Sequence, residues 1–240
     1  MNKIIALFTG SVLLFGGSGA MAQEFFDTSV AEKTFSIGGR IGFNTSNRTF
    51  PKGNYTNEVL TTWGTGFNVG AVANINFREY LTLQPGFFFE SRSGKAIENV
   101  QYYMQNEDND NYYLNTRFNV SNRRCYYFTI PVMGIVKFNL AENVKWNVEF
   151  GPYIQICLKD NSGENGMKLY EYIPEEYATF QIEYPAQARN FDVGFKMGTG
   201  LTLYDHYYVG VHYLAGVGKA WKVPDGGRNK SWMFTVGYDF

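Results

Sequence analysis

Charge is scarce in this chain. Lys, Arg, Asp and Glu make up 18% of its 240 residues, below the roughly 25% of an average soluble domain. Neither sign dominates: Lys+Arg 21 against Asp+Glu 22 leaves a net charge of −1. With no basic excess to neutralise phosphates, nucleic acid is excluded as a partner. Long apolar runs are missing as well. Beyond residue 22 no window holds the roughly 18 consecutive apolar residues of a transmembrane helix, and mean hydropathy is −0.27. Such a chain can enter a membrane only as a closed barrel. Histidine and cysteine occur twice each, and no His/Cys/Asp/Glu cluster has metal-ligand spacing. No metal and no cofactor is therefore expected. The acidic run at 106–110 lacks the glycine and terminal glutamate of a calcium loop, so a solvated loop is expected there.

What is plentiful is aromatic side chains, 18% of the chain, and glycine, of which there are 26. The start reads as a secretory signal. Lys3 precedes an apolar stretch from Ile4 to Phe15, followed by small residues and Ala20-Met21-Ala22. That is an A-x-A cleavage pattern before Gln23, after an apolar run too short to span a bilayer. The expected organisation is a signal peptide over 1–22, a short N-terminal periplasmic segment over 23–33 and one β-barrel domain over 34–240.

Period-two alternation fills that domain. On one parity stand Val144, Trp146, Val148, Phe150, Pro152, Ile154, Ile156 and Leu158; Lys145, Asn147, Glu149, Gly151, Tyr153, Gln155, Cys157 and Lys159 take the other. No helix produces this, because 100° per residue would scatter the apolar set around the cylinder. Seven further segments behave similarly, giving eight strands of roughly 10–16 residues, long enough for tilted strands to cross a bilayer. Short connections at 78–80, 139–143 and 204–206 alternate with longer ones at 45–60, 93–122, 160–188 and 219–228. This is the pattern of an eight-stranded antiparallel up-and-down transmembrane barrel with short periplasmic turns and long outer loops.

Two features place the apolar face outside rather than in a lipocalin-like core. The polar face is rich in glycine (Gly38, Gly42, Gly70, Gly151, Gly198 and others) rather than in solvated Lys and Glu, and small residues suit a crowded eight-stranded lumen. Large aromatics also sit near strand ends. Phe77, Tyr80, Phe138, Trp146, Tyr204 and Tyr207 lie by the short turns, and Trp63, Phe89, Trp221 and Trp232 by the long loops. Two such girdles fit the two headgroup zones.

Three motifs carry a family resemblance: Tyr80-Leu81-Thr82-Leu83-Gln84-Pro85-Gly86-Phe87, Phe128-Thr129-Ile130-Pro131-Val132 and the end Tyr238-Asp239-Phe240. Over roughly 34–240 the layout resembles the small outer-membrane barrels described as porin-family or PorT-like, of Bacteroidota-type envelopes. The resemblance implies the outer membrane of a Gram-negative bacterium and no catalytic residues. The aromatic end at Phe240 resembles the signal read by the barrel-insertion machinery, with Thr235 where that signal carries a glycine.

Charged residues on the lumen parity, namely Arg40, Glu90, Arg92, Lys137, Glu149, Asp192 and Lys196, are expected to pair, since an isolated buried charge is very costly. His212 points inward, opposite Gly198 if its turn centres on Asp205, with only Gly and Leu214 placeable around it; a structural histidine is expected. Cys125 and Cys157 are a disulfide candidate. A turn centred on Ala141 puts them opposite each other on adjacent strands, about 4.5–5.5 Å apart at Cα. The 160–188 loop carries six acids against one lysine, and Tyr102, Tyr103, Tyr112, Tyr113, Tyr170, Tyr172, Glu175 and Glu176 mark the loops as a candidate binding surface. Expected partners are outer-membrane lipids including lipopolysaccharide, the insertion machinery, and an extracellular protein or glycan. The functional expectation is a non-enzymatic barrel with a side-chain-filled lumen and displayed loops, serving a structural or adhesion role. A small-barrel enzyme acting on lipid A or phospholipid acyl chains and a narrow pore stand as alternatives.

Overall fold

The computed structural model describes residues 25–49, 59–105, 112–160, 167–171, 182–186, 189–219 and 227–240. The leader expected over 1–22, the acidic run at 106–110, and Tyr172, Glu175, Glu176 and Trp221 lie outside them. Among the described residues ten strands form: β1 (Phe35–Thr49), β2 (Val59–Arg78), β3 (Leu81–Gln105), β4 (Tyr112–Ala141), β5 (Val144–Asp160), β6 (Met167–Glu171), β7 (Ile182–Ala186), β8 (Phe191–Leu203), β9 (Tyr207–Gly216) and β10 (Arg228–Asp239). Eight of them close a barrel in the order β1-β2-β3-β4-β5-β8-β9-β10, with β10 back on β1. Every barrel neighbour is antiparallel. β6 and β7 form a separate hairpin in the connection from β5 to β8.

The barrel is inside out relative to a soluble one. Along β5, Val148, Phe150 and Ile154 are 40–54% exposed, whereas Asn147, Glu149 and Gln155 are at most 3% exposed. Polar residues fill the lumen and apolar ones coat the wall, the arrangement that hydrocarbon outside demands. Cross-strand rings reinforce the coat: Phe43 stacks on Phe234 at 4.7 Å and Phe150 on Phe195 at 5.6 Å. Phe138 meets Trp146 at 5.3 Å beside the β4–β5 turn.

Two expectations about the connections need correction. The 93–122 segment is mostly not a loop. β3 and β4 stay paired from Ser93–Arg124 out to Gln105–Tyr112, so a long two-stranded hairpin continues past the barrel. The hydrophobic alternation weakens over this stretch, while the backbone ladder persists. Tyr102 and Tyr103 stand in this ladder opposite Asn115 and Leu114, and Tyr112 and Tyr113 opposite Gln105 and Met104. Tyr170 faces Glu183 in the small hairpin.

The second correction concerns register. Ala141 pairs with Val144, leaving Glu142 and Asn143 as the turn, and the ladder shifts between Asn139 and Ala141. Cys157 consequently faces Tyr127, and a further shift places Cys125 opposite Asp160. The two cysteines are therefore not directly opposite each other.

Ahead of β1, residues 25–34 cross the end of the barrel where the short turns lie. Phe25 stacks on Phe138 at 5.2 Å and Phe26 on Tyr80 at 4.3 Å. The Glu79 amide donates to Ser29 O at 3.2 Å, and the Glu32 amide to Glu79 Oε1 at 2.9 Å.

Candidate functional site: the lumen and its turn-end vestibule

Glycine on the lumen face makes room for the large side chains of neighbouring strands. A Cβ at Gly198 would collide with the His212 ring and the Val211 carbonyl, and one at Gly200 would sit 2.8 Å from the Tyr208 ring. Freed by that floor, both β9 side chains reach over β8 to β5. Tyr208 donates its hydroxyl to Glu149 Oε1 at 2.6 Å. His212 Nε2 lies 2.8 Å from Glu149 Oε2 and 3.1 Å from the Tyr208 hydroxyl. Arg40 stacks over the Tyr208 ring at 4.5 Å and donates to both Asp239 oxygens, at 2.8 and 3.0 Å. A continuous polar chain thus runs Asp239–Arg40–Tyr208–Glu149–His212 from the turn end to mid-lumen.

Toward the loop end, Arg92 Nε donates to Glu90 Oε2 at 2.9 Å and its guanidinium sits 5.4 Å from the Tyr127 ring centre. Asn229 donates to Asp192 Oδ2 at 2.8 Å. Lys196 lies 4.9 Å over the Phe88 ring. Between the two polar zones, Tyr153, Leu214 and Met233 pack together, each at most 1% exposed, beside Gln155 at 0%. The barrel interior is closed by side chains at this level.

Below the Arg40–Asp239 level the lumen widens into a cavity of about 1430 Å³ open at the turn end. Asn74, Gln84, Ile135, Lys137 and Lys145 line it. Lys145 bridges Glu79 at 3.1 Å and Asp205 at 2.8 Å. Lys137 donates to Asn76 Oδ1 at 3.2 Å and, among the described residues, has no carboxylate within 4 Å.

All seven charged residues expected on the lumen parity stand inside the barrel. Glu90 and Arg92 meet each other, Arg40 meets Asp239, and Glu149 meets His212. His212 does face Gly198. Its carboxylate partner was missed because it comes from two strands away. The signal that finds it is transitive: Gly198 pairs with both His212 and Glu149, and a residue without a side chain lets the two touch. A histidine on a carboxylate orients and stabilises an imidazolium, but hydrolysis also needs a nucleophile within hydrogen-bond reach. Among the described residues, His212 Nδ1 has no such partner.

Gly198→Val is expected to push the His212 ring off Glu149 and destabilise the barrel by about 1–3 kcal/mol through overpacking. Gly39, with nothing within 4 Å of its Cβ position, supplies the control, and Gly39→Ala should be near neutral. Reversible denaturant unfolding in lipid vesicles compares the two.

Comparison with known proteins places the chain. The family described as outer membrane protein beta-barrel domain matches residues 21–220. Among solved structures, Ail of Yersinia pestis in complex with the heparin analogue sucrose octasulfate is 13% identical, covering 87% of this chain and 100% of its own, at a TM-score of 0.41. Neisserial surface protein A is 10% identical, covering 87% and 98%, at 0.42. OprG from Pseudomonas aeruginosa is 9% identical, covering 87% and 97%, at 0.44. No curated protein matches the sequence. The strands cross lipid, and the chain belongs to the outer membrane protein β-barrel domain family of the Gram-negative outer membrane.

Proposed function

We propose that this protein is a non-enzymatic outer-membrane barrel of the Bacteroidota-type PorT-like kind, with a closed lumen and a displayed surface used for structural support or binding. The observation that carries the reading is the mid-lumen closure. Tyr153, Leu214, Met233 and Gln155 are each at most 1% exposed, above the ion pairs of Arg40 and Glu149 and beside that of Arg92. The motifs at 80–87, 128–132 and 238–240 support the narrower family placement.

The β3–β4 hairpin lifts tyrosine-rich sequence beyond the barrel, and the neighbouring β5–β8 connection is strongly acidic. Such a surface repels polyanions and suits a basic protein patch or a neutral glycan. The last strand, ending at Phe240, is the segment offered to the insertion machinery. In planar bilayers the purified protein is expected to give no stable conductance steps; long-lived open channels would mean that the lumen is a pore.

The His212–Glu149 contact favours one second reading, an enzyme acting on lipid acyl chains. Comparing the acyl pattern of envelope lipids with and without the gene separates the two. An unchanged pattern is expected, and a lost or added acyl chain would replace the first reading with the second.

A further inference from the structure

One lysine stands on a face that its sequence parity does not give it. Along β5 the odd positions face the lumen as far as Gln155, which is fully buried, and Lys159 continues that parity. Near the loop end Tyr127 pairs with Cys157 while Tyr126 pairs with Lys159, so Leu158 is one residue too many for the ladder. Such a bulge sets two residues against one and re-aims the side chains beside it. Tyr126 belongs to the outer wall, where its ring stacks on Phe89 at 5.9 Å. Leu158 and Lys159, which oppose it, are both exposed. The bulge thus turns Lys159 outward, onto the wall.

Two arginines flank it on the adjoining strands. Arg124 lies two residues beyond Tyr126 on β4, on the same face, and is exposed. It is therefore the diagonal neighbour of Lys159, with Cα atoms about 7–8 Å apart. On the other side the Cys157 amide donates to Asn190 O at 2.7 Å, which sets the exposed Arg189 beside Leu158. β4, β5 and the lead into β8 bring three cations to one stretch of the rim.

The surroundings of this cluster select its ligand. Toward mid-membrane the wall is apolar: Ile156, Leu158 and Phe191 are 43–55% exposed. Beyond the rim begins the acid-rich 160–188 connection. A soluble polyanion approaching from outside meets those acids first, whereas a membrane-borne anion arrives along the wall. The opposite rim is built differently. There Lys145 is held between Glu79 and Asp205, and exposed Arg78 shares the surface with exposed Glu142. Among the described residues, the exposed charges at the loop end are cations, with Lys219 and Arg228 continuing the set beside β9 and on β10.

We propose that Arg124, Lys159 and Arg189 form a phosphate site for a glycolipid of the outer leaflet, the lipid A portion of lipopolysaccharide. Its acyl chains lie on the wall along Ile156, Leu158 and Phe191. The site rests on the reading of the loop end as the outer end of the barrel. The arginines offer forked donors to phosphate oxygens, and the lysine adds a mobile point charge. Tyr126 supplies an amphipathic ring at headgroup height.

The test uses the purified mature protein in phosphatidylcholine nanodiscs and three probes with the same acyl chains: bisphosphoryl, monophosphoryl and fully dephosphorylated lipid A. Native mass spectrometry counts the bound lipid, and affinity is expected to fall in that order. Arg124→Gln and Lys159→Gln should each weaken bisphosphoryl lipid A about fivefold, the effect of one cation at an anionic lipid surface, and together about 25-fold. Arg78→Gln, at the opposite rim, should leave binding unchanged. Heat-modifiable gel migration confirms that the variants are folded. Equal binding of the three probes would overturn the site. So would unchanged binding in the folded double variant, which would mean that the acid-rich connection and not a lipid holds these cations. Stronger displacement of the lipid by a soluble sulfated oligosaccharide than by unlabelled lipid A would overturn the lipid as occupant. Purified protein reports the site whichever way the barrel is inserted. Protease shaving of intact cells, expected to cut the loop-end connections, reports the facing separately; protected connections with intact lipid binding would overturn the facing and leave the phosphate site standing.

Discussion

Ile154→Arg is expected to destabilise the inserted barrel by about 2–4 kcal/mol, the range for a cation on the lipid face near the bilayer midplane. Ile154 is 45% exposed on the outer wall. It pairs with Ile130 on one side and Val193 on the other, far from both ends of β5. An arginine there finds neither water nor a carboxylate, and the midplane is too far from the headgroups for easy snorkelling. Gln155→Arg reverses the geometry. That position points into the lumen, and its neighbour across the β5–β8 ladder is Asp192, so the new cation gains a nearby carboxylate. Its cost is confined to overpacking and should be the smaller. Urea unfolding in vesicles of defined thickness measures both. The Ile154→Arg penalty should rise in thicker bilayers while that of Gln155→Arg stays constant. Equal penalties, insensitive to thickness, would mean that the assigned facing is wrong.

The same alternation explains why the barrel was so legible. In lipid the two faces of a strand meet opposite solvents, so period two is written into nearly every wall residue, and strand number, facing and the short turns follow from it. Where one solvent meets both faces, the code lapses. Between Ser93 and Arg124 the alternation is broken into short stretches, such as Leu114, Phe118 and Val120 against Asn115, Arg117 and Asn119, so the extension of β3 and β4 has a weak hydrophobic signature even though the backbone ladder continues. Register suffers differently. The turn at Glu142 and Asn143 is shorter than the 139–143 connection read from the sequence, and a shift of two residues is enough to separate Cys125 from Cys157. The His212–Glu149 contact requires two registers at once, one of them between β5 and β8, which are not consecutive strands.

Glu90→Leu is expected to cost about 3–5 kcal/mol, the penalty for removing one partner of a buried ion pair. Glu90 is 1% and Arg92 6% exposed. Both project inward from β3, two residues apart, as period two requires. Arg92 cannot lose its proton to escape burial, since a guanidinium stays charged at any ordinary pH. Its remaining support is the Tyr127 ring at 5.4 Å, which stabilises a cation far less than a carboxylate does. The double replacement Glu90→Leu with Arg92→Met removes the orphaned charge together with its partner. A buried pair replaced by apolar groups of similar volume is often neutral in stability, so most of the loss should return. Unfolding of wild type, both single variants and the double variant in the same vesicles gives the coupling between the two positions. A coupling near zero would mean that the Glu90 and Arg92 charges are screened by lumen water rather than held by each other, and the closed lumen would then have to be wet at this level.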